Sequence, residues 1–428
     1  MTSLSRLPTQ DLPAQSLRRS LLDMVGHLSV VMVFNLVSYG LRFALTILIA
    51  REWGPSFYGQ VALVMSMGSL MFIPLALGQH SVMYKYLPTA EDDHKNALMW
   101  TVLTINIVIC STLSVILLLL QPLVTGQLQI EPVFWVLAIM LAIGNNFQAL
   151  SESLLRGQQK FSTIGWAKLI STLILLTMVL SLLFRDLSNL PLFIGAFFVS
   201  TIVFSILALL QSGLKRVTLN KAFFHTAIRY GAVVMVNQVI IALMFDGDLI
   251  LLSSSLTTAQ LGIYAAHLGI LKQLFFIFFV EIFCVVFLPT LAKLDRKELL
   301  RWLLRMAPVG VICVYGLSFM ALMVILFLFG DDFSFQLPLV AIGAAGITAF
   351  TVFQMLNHIL TMEGRTGARR AFIAVLCCLP VFLLGLPYAA NNYGIIGALS
   401  SATMIYTLLI GTTLIALNRQ FTNNVVSD

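Results

Sequence analysis

The chain has 428 residues, of which 59% are hydrophobic and only 10% are charged, whereas soluble proteins carry roughly 25% charged residues. The charges are bunched, and the long apolar runs between them exclude a soluble protein, because so many apolar helices cannot all be buried in a globule of this size. The net charge of +7 does not indicate nucleic-acid binding, since most basic residues fall in loops on one side of a predicted membrane.

The apolar runs predict an all-α integral membrane protein of about twelve transmembrane helices, because about 20 apolar residues cross the ~30 Å hydrocarbon core. Residues 1–23 are polar, and the apolar run after them is longer than the roughly 7–15 residues of a signal peptide, so we expect no cleavage. The connections are short and leave no room for a soluble domain. The predicted spans, in chain order, are 24–50, 58–80, 98–120, 132–152, 164–184, 190–213, 226–252, 261–287, 304–329, 336–362, 370–389 and 393–417.

Lysine and arginine are distributed unevenly over the predicted loops. With the N-terminus inside, 21 of the 25 fall on the inner side, and Lys168, after the fourth span, is counted among them. Only Arg51 and Arg185 fall outside, while Arg42 and Lys272 lie within spans. This bias predicts cytoplasmic N- and C-termini, an even number of spans, and attraction to anionic inner-leaflet lipid.

The two halves of the chain resemble each other. Residues 87–89 (Leu-Pro-Thr) recur as 288–290, and residues 147–148 (Phe-Gln) recur as 353–354. These matches predict two parallel six-helix repeats, an arrangement in which transporters bind substrate between the halves and alternate between two open states. The predicted domains are a cytoplasmic tail 1–23, a first lobe 24–213, a cytoplasmic linker 214–225, a second lobe 226–417 and a cytoplasmic tail 418–428.

A polar stripe interrupts the first span. Asn35, Ser38 and Arg42 recur at helical spacing and share one face. An ionisable side chain inside a span is costly and by default faces a cavity or a partner, so these three residues are candidates for substrate binding. The alternative is that Arg42 extends outward along the lipid to the interface.

Spans 7 and 8 carry the other central polar residues. Lys272 and Gln273 lie near the middle of span 8, and Lys272 either faces a cavity or forms an ion pair with Asp248 or another acid. Asn237 and Asp248 share a face of span 7, while Asp246 is predicted to point elsewhere, nearer the outer interface. Lys272, Gln273 and Asn237 are therefore candidates for substrate binding, and Asp248 is either a counter-ion or an ion-coupling residue.

Three further positions have alternative roles. Glu281 lies on the opposite face of span 8 from Lys272, as either a second cavity-lining residue or a hydrogen-bond partner between helices, and it is a candidate for ion coupling together with Asp248. His80, at the end of span 2, is either a helix-packing residue or a further substrate candidate. Glu152 and Arg156 form an i,i+4 pair at the end of span 4, which is either an interfacial salt bridge or part of a gate.

No set of residues has the spacing of a catalytic, nucleotide-binding or metal site. All five cysteines fall inside apolar runs and are interpreted as small core residues. The sequence therefore predicts a protein that is not an enzyme and has no cofactor and no metal.

Residues 50–59 (Ala-Arg-Glu-Trp-Gly-Pro-Ser-Phe-Tyr-Gly) resemble the A-R-x-L-G-P-x-x-Y-G signature in the first loop of Wzx-type polysaccharide and O-antigen flippases, with Trp in place of the usual Leu. Residues 155–161 are similar to the loop after the fourth helix of that family, and Asp248 precedes a G-x-Y at residues 262–264 with the family's spacing. Leu249 replaces the basic residue usual after that Asp. The resemblance covers nearly the whole chain, and its motif residues Gly54, Pro55, Tyr58 and Gly59 are interpreted as a tight, structural outer turn.

The resemblance implies the fold of the oligosaccharidyl-lipid and polysaccharide exporter branch of the MATE-like superfamily. It also implies a flippase that moves undecaprenyl-pyrophosphate-linked glycan from the cytoplasmic to the periplasmic leaflet of a bacterial inner membrane, for lipopolysaccharide or other surface polysaccharide biosynthesis. Arg42 and Lys272 would bind the pyrophosphate and the neutral polar candidates the sugars. The implied partners are the lipid-linked oligosaccharide, membrane lipid, a polysaccharide polymerase and chain-length proteins, with no nucleic acid.

The nearest rival is an ion-coupled multidrug or small-molecule exporter of the same superfamily, in which acids rather than bases should line the cavity. Arg42 and Lys272 argue against this reading, whereas Asp248 and Glu281 favour it. A major-facilitator transporter lacks support because its basic loop motif is not found between spans 2 and 3. A membrane-embedded transferase would need a His or Asp pair at a membrane face, and a scaffold would leave the buried cations without a purpose.

Overall fold

The computed structural model describes residues 14–88, 90–128, 130–215, 221–272, 296–333, 335–361 and 364–423, and throughout these ranges the regular structure is helical. Two π-helical turns, Ala265–Gly269 and Val381–Gly385, and a 3₁₀ turn, Asp331–Phe333, interrupt the α-helices. The α-helices of the described residues are α1 Ala14–Ala76, α2 Gln79–Tyr86, α3 Asp92–Leu119, α4 Gln121–Leu128, α5 Pro132–Gly157, α6 Phe161–Phe184, α7 Leu190–Ser212, α8 Lys221–Leu252, α9 Thr258–Tyr264, α10 Arg296–Phe329, α11 Leu337–Thr361, α12 Gly364–Pro380 and α13 Leu386–Asn423.

Within the described residues, eight helices are long and apolar enough to cross a membrane, and a ninth is counted if the bent pair in α8 is one span. Two of the eight, Val33–Ala76 and Arg369–Asn418, are long enough to hold two predicted spans each. The predicted span 261–287 falls largely on residues 273–295, outside the described part of the chain. The all-α membrane fold is thus confirmed, while the orientation of the termini stays a prediction.

Several helix ends differ from the predicted boundaries. The first helix begins at Ala14, inside the predicted tail, and α8 begins at Lys221, inside the predicted linker. The last helix continues to Asn423, and α4 occupies a stretch predicted as an outer loop. Hydropathy marks the part of a helix that contacts hydrocarbon, whereas backbone hydrogen bonding continues through polar residues beyond it.

The segment from Gly54 to Gly59 forms the break between the first two predicted spans. Gly54 has φ 74° and ψ 178°, a backbone conformation that other residues resist, and Pro55 cannot donate a helical hydrogen bond. Tyr58, just beyond the break, packs edge-on against Phe329 and Phe333 at centroid distances of 5.5 and 5.9 Å. The turn therefore fixes the first half of the chain against the second.

Two glycines bring the halves into backbone contact at this end of the molecule. A Cβ atom on Gly59 would overlap the carbonyl oxygen of Thr258, and a Cβ atom on Gly262 would overlap the carbonyl oxygen of Pro55. The hydroxyls of Ser56 and Thr258, 202 positions apart, are hydrogen-bonded at 3.0 Å. The contact is reciprocal, as expected where two copies of a repeat meet.

The substitution Gly262→Ala is expected to destabilise this contact by about 1–3 kcal/mol, because a backbone oxygen cannot move aside as a side chain can. The measurement is the unfolding temperature of the purified protein in detergent. Gly411→Ala is the control, since nothing lies within 4 Å of the added Cβ. Equal unfolding temperatures for the two variants would contradict the packing.

The helix α8 lies at the centre of the interface between the halves. It contacts α1 of the first half and α12 and α13 of the second, while α5, α6 and α7 pack with α1 in the first half. At the end of the interface away from Gly54, the backbone of Gly78 approaches the carbonyl oxygen of Gly231. The cavities described below lie between these two contacts.

Candidate functional site

A buried ion pair lies beside α8 at the interface. The Lys272 ammonium, just beyond the first π-helical turn, is 2.5 Å from the Asp248 carboxylate. Their exposed fractions are 2% and 3%. The structure therefore contains the ion pair, one of the two alternatives that the sequence left open for Lys272.

Neighbouring groups form further interactions with both members of the ion pair. Lys272 also donates to the carbonyl oxygen of Phe245 at 2.9 Å, and its ammonium lies 5.5 Å from the centroid of the Tyr406 ring. The hydroxyl of Tyr264 donates to Asp248 at 2.8 Å. Since a buried charge is tolerated only when paired and hydrogen-bonded, Lys272 is neutralised here and is not an open anion site in this conformation.

The ion pair borders a small cavity of about 80 Å³ between the halves, large enough for a few water molecules. Ser66 and Phe193 contribute from the first half, and Asp246 contributes from the second. The prediction that Asp246 points away from the site is wrong: both acids of α8 border this cavity. Ser66 also donates a hydrogen bond to the backbone carbonyl of Asp246.

A large cavity of about 640 Å³ lies next to the small one, and Ser69, Phe245 and Asp246 line both. This volume is within the range of about 300–1,000 Å³ typical of ligand sites. Its polar walls come from α5, α8 and α11, with apolar surface from the second part of α1. The lining residues are Ser69, Phe72, Ile73, Asn145, Gln238, Ile241, Ala242, Phe245, Asp246, Gln354, Asn357, His358 and Thr361.

His80 lies directly behind the wall of the large cavity rather than in it. Its ring stacks on the lining residue Phe72 at 6.0 Å, and its Nε2 is 3.5 Å from the side-chain nitrogen of the lining residue Gln238. His80 can therefore position two lining side chains without contacting a ligand itself.

A second polar site lies inside the first half, where α5 and α6 face α1. The Glu152 carboxylate is 2.5 Å from Arg156 and 2.9 Å from Lys168. Lys168 also donates to the Asn35 side-chain oxygen at 3.1 Å. We call Asn35, Ser38, Arg42, Glu152, Arg156 and Lys168 the first-half cluster.

Lys168 is the residue of this cluster that the sequence missed. The count of basic residues places Lys168 in an inner loop, yet it lies in α6 with an exposed fraction of 7%. Lysine near a helix end resembles an interfacial topology signal, and its long side chain reaches an acid that sequence spacing does not reveal. The one signal in the sequence is Glu152, because an acid at the end of an apolar run needs a cationic partner.

The first-half cluster holds three cations against one carboxylate. Asn35 and Ser38 are buried, and the Asn35 side-chain nitrogen and the Ser38 hydroxyl have no hydrogen-bond partner among the described residues. Arg42 is half-buried and interacts electrostatically with Glu152, but its guanidinium forms no hydrogen bond or ion pair with any described residue. Unsatisfied donors beside excess positive charge form a suitable site for an anion. Arg42, Asn35 and Ser38 do not border either cavity.

The remaining predicted site residues are outside the described structure. Gln273 and Glu281 fall in the range 273–295, and the side chain of Asn237 is likewise not described. Across the described residues, no group of three or more His, Cys, Asp or Glu side chains could hold a metal ion.

The sequence profile of a family described as polysaccharide biosynthesis protein matches residues 26–295. No curated protein sequence matches the chain. The fold is similar to that of lipid II flippase MurJ in an inward closed conformation, with 13% identity, a TM-score of 0.67, and coverage of 91% of this chain and 87% of that one. It is also similar to a multidrug resistance MATE family transporter in an inward-facing conformation, with 12% identity, a TM-score of 0.66, and coverage of 94% and 100%. A MOP superfamily transporter from Pyrococcus furiosus is 11% identical, with a TM-score of 0.54 and coverage of 94% and 96%.

Proposed function

We propose, since this chain belongs to the polysaccharide biosynthesis protein family, that it is a flippase for lipid-linked oligosaccharide. The substrate would be a glycan on undecaprenyl pyrophosphate, moved from the cytoplasmic to the periplasmic leaflet of a bacterial inner membrane. The glycan would then serve surface polysaccharide synthesis such as that of O-antigen, with a polymerase and chain-length proteins downstream. Both termini would face the cytoplasm, in agreement with the bias in basic residues.

The first-half cluster is the observation that carries the proposal. A pyrophosphate cannot enter the hydrocarbon core without cationic partners, and buried cations are costly unless they have a purpose. Arg42 offers a planar fork for two phosphate oxygens, while Lys168 offers a point charge. Asn35 and Ser38 provide donors that lack a partner in the described part of the chain. Together these groups match the charge and the hydrogen-bonding needs of a pyrophosphate.

The large cavity supports the same proposal. It lies between the two halves, where transporters built from parallel repeats bind their substrates. Its amide side chains supply both donors and acceptors for hydroxyl groups. Alternating access would move this cavity from one side of the membrane to the other. Any ion coupling through Asp248 would first have to open the ion pair with Lys272.

One observation favours a different function. Asp246 lines the large cavity, and the described lining residues include no Lys or Arg. A cavity with a carboxylate and aromatic walls suits an organic cation, as expected of a multidrug exporter. The same experiment separates the two functions.

The test is accumulation of lipid-linked oligosaccharide in a deletion strain complemented with the wild-type gene, Arg42→Ala, Arg42→Lys or Arg185→Ala. We expect Arg42→Ala to reduce surface glycan at least tenfold and to leave the oligosaccharide on the inner leaflet, because the pyrophosphate loses its bidentate partner. Arg42→Lys should retain part of the activity. Arg185 is an exposed residue after α6 and serves as the control, with membrane expression checked for each variant.

Normal surface glycan in the deletion strain, together with increased sensitivity to cationic drugs, would contradict the flippase and favour the exporter. Wild-type glycan with Arg42→Ala would contradict the assignment of the pyrophosphate to the first-half cluster.

A further inference from the structure

Three amide side chains in the wall of the large cavity have no hydrogen-bond partner in the described part of the chain. Gln354 and Asn357 are only 7% and 5% exposed, yet no described residue forms a hydrogen bond with either side chain. The same holds for the half-buried side chain of Asn145 on the opposite wall. Because buried polar groups are nearly always hydrogen-bonded, we expect water or a polar ligand to form the hydrogen bonds that these amides lack. Each amide offers both donors and an acceptor, which suits the hydroxyl groups of a sugar.

The charge of the large cavity restricts which sugars fit. Asp246 is the one Asp, Glu, Lys or Arg among the described residues that line it. The cation that interacts with Asp246 is Lys272, which is already paired with Asp248. A carboxylate on an entering sugar would find no Lys or Arg counter-ion among the described lining residues, and it would be repelled by Asp246 whenever that side chain is ionised. A buried unpaired charge is strongly unfavourable.

A polar stripe on α5 connects the large cavity to the first-half cluster. Asn145, Gln148 and Glu152 recur at helical spacing, with Asn145 in the cavity wall and Glu152 in the cluster. Seven residues of helix span about 10 Å, so the two sites lie within reach of one extended ligand. A pyrophosphate at the cluster would place the attached sugars toward the cavity.

Resting on the proposed flippase function, we propose that the large cavity binds the sugar units and selects by charge. Uncharged sugars and amino sugars bind between Asn145, Gln354 and Asn357 beside Asp246. Sugars that carry a carboxylate, such as a hexuronate, are excluded. The protein is thereby specific for neutral or basic glycans.

The test uses the full-length protein in proteoliposomes and two synthetic probes. Both are polyprenyl pyrophosphates carrying a disaccharide, and they differ only in that the second sugar is a hexose in one and the corresponding hexuronate in the other. We expect the hexose probe to be translocated at least tenfold faster than the hexuronate probe. In Gln354→Arg, which places a cation in the cavity wall, we expect the hexuronate rate to rise at least tenfold. Asp246→Asn should raise it less, because it removes the repulsion without supplying a counter-ion.

Equal rates for the two probes in the wild-type protein would overturn the charge selection and leave the flippase function intact. No translocation of either probe would overturn the flippase function, and the charge selection with it. An unchanged hexuronate rate in a folded Gln354→Arg protein would overturn the placement of the sugars in the large cavity.

Discussion

Replacing Lys272 with Met is expected to destabilise the protein by about 3–5 kcal/mol, because it leaves the Asp248 carboxylate buried without its counter-ion. The Tyr264 hydroxyl would remain as a hydrogen-bond donor to that carboxylate but cannot neutralise its charge. The measurement is the yield and the unfolding temperature of the purified protein in detergent.

The double variant Lys272→Met with Asp248→Asn is the decisive comparison. It removes both charges and keeps an amide near the Tyr264 hydroxyl, so most of the lost stability should return, as it does when a buried ion pair is replaced as a unit. Arg185→Met removes an exposed cation and should change little. A double variant no more stable than Lys272→Met would show that the two charges do not compensate each other.

The ion pair also shows how far the sequence could predict the site. Lys272 and Asp248 stood out because each is ionisable within an apolar run, and such residues need a partner or a cavity. Whether each residue has a partner or a cavity depends on how α8 packs against the π-helical turn after α9. The spacing of residues within one helix does not specify that packing. The membrane fold was predictable for the simpler reason that apolar length alone requires helices.

The predicted orientation of Asp246 and the predicted loop position of Lys168 are both wrong, for related reasons. A helical projection assumes that one face of a helix is functional, whereas α8 contacts helices of both halves and both of its acids border the small cavity. Lys168 was assigned by its position near a helix end, but its long side chain reaches Glu152 on another helix. Sequence patterns locate the backbone of such residues better than the ends of their side chains.

A disulfide between Ser56→Cys and Thr258→Cys is expected to abolish transport, with recovery on reduction. The hydroxyl oxygens of these residues are 3.0 Å apart, so cysteine sulfurs in their place would lie close enough to bond after small side-chain rotations. The bond would fix the two halves together beside Gly59 and Gly262, whose backbones already touch. If substrate crosses by alternating access, the halves must separate at this end to release it.

The measurement is the amount of surface glycan in the complemented strain before and after treatment with a membrane-permeant reductant. Cross-linking is followed by cleaving the loop between the halves and measuring whether the two fragments still migrate together in electrophoresis. Each single cysteine variant is the control, and we expect both to transport normally because the two side chains are close to the surface. Full transport by a completely cross-linked protein would contradict separation at this contact. The release path would then have to run elsewhere along the interface, past Gly78 and Gly231 or sideways between helices. If transport is lost in the cross-linked protein and returns on reduction, the Gly59–Gly262 contact is the point that opens. The disulfide adds no other constraint to the folded halves.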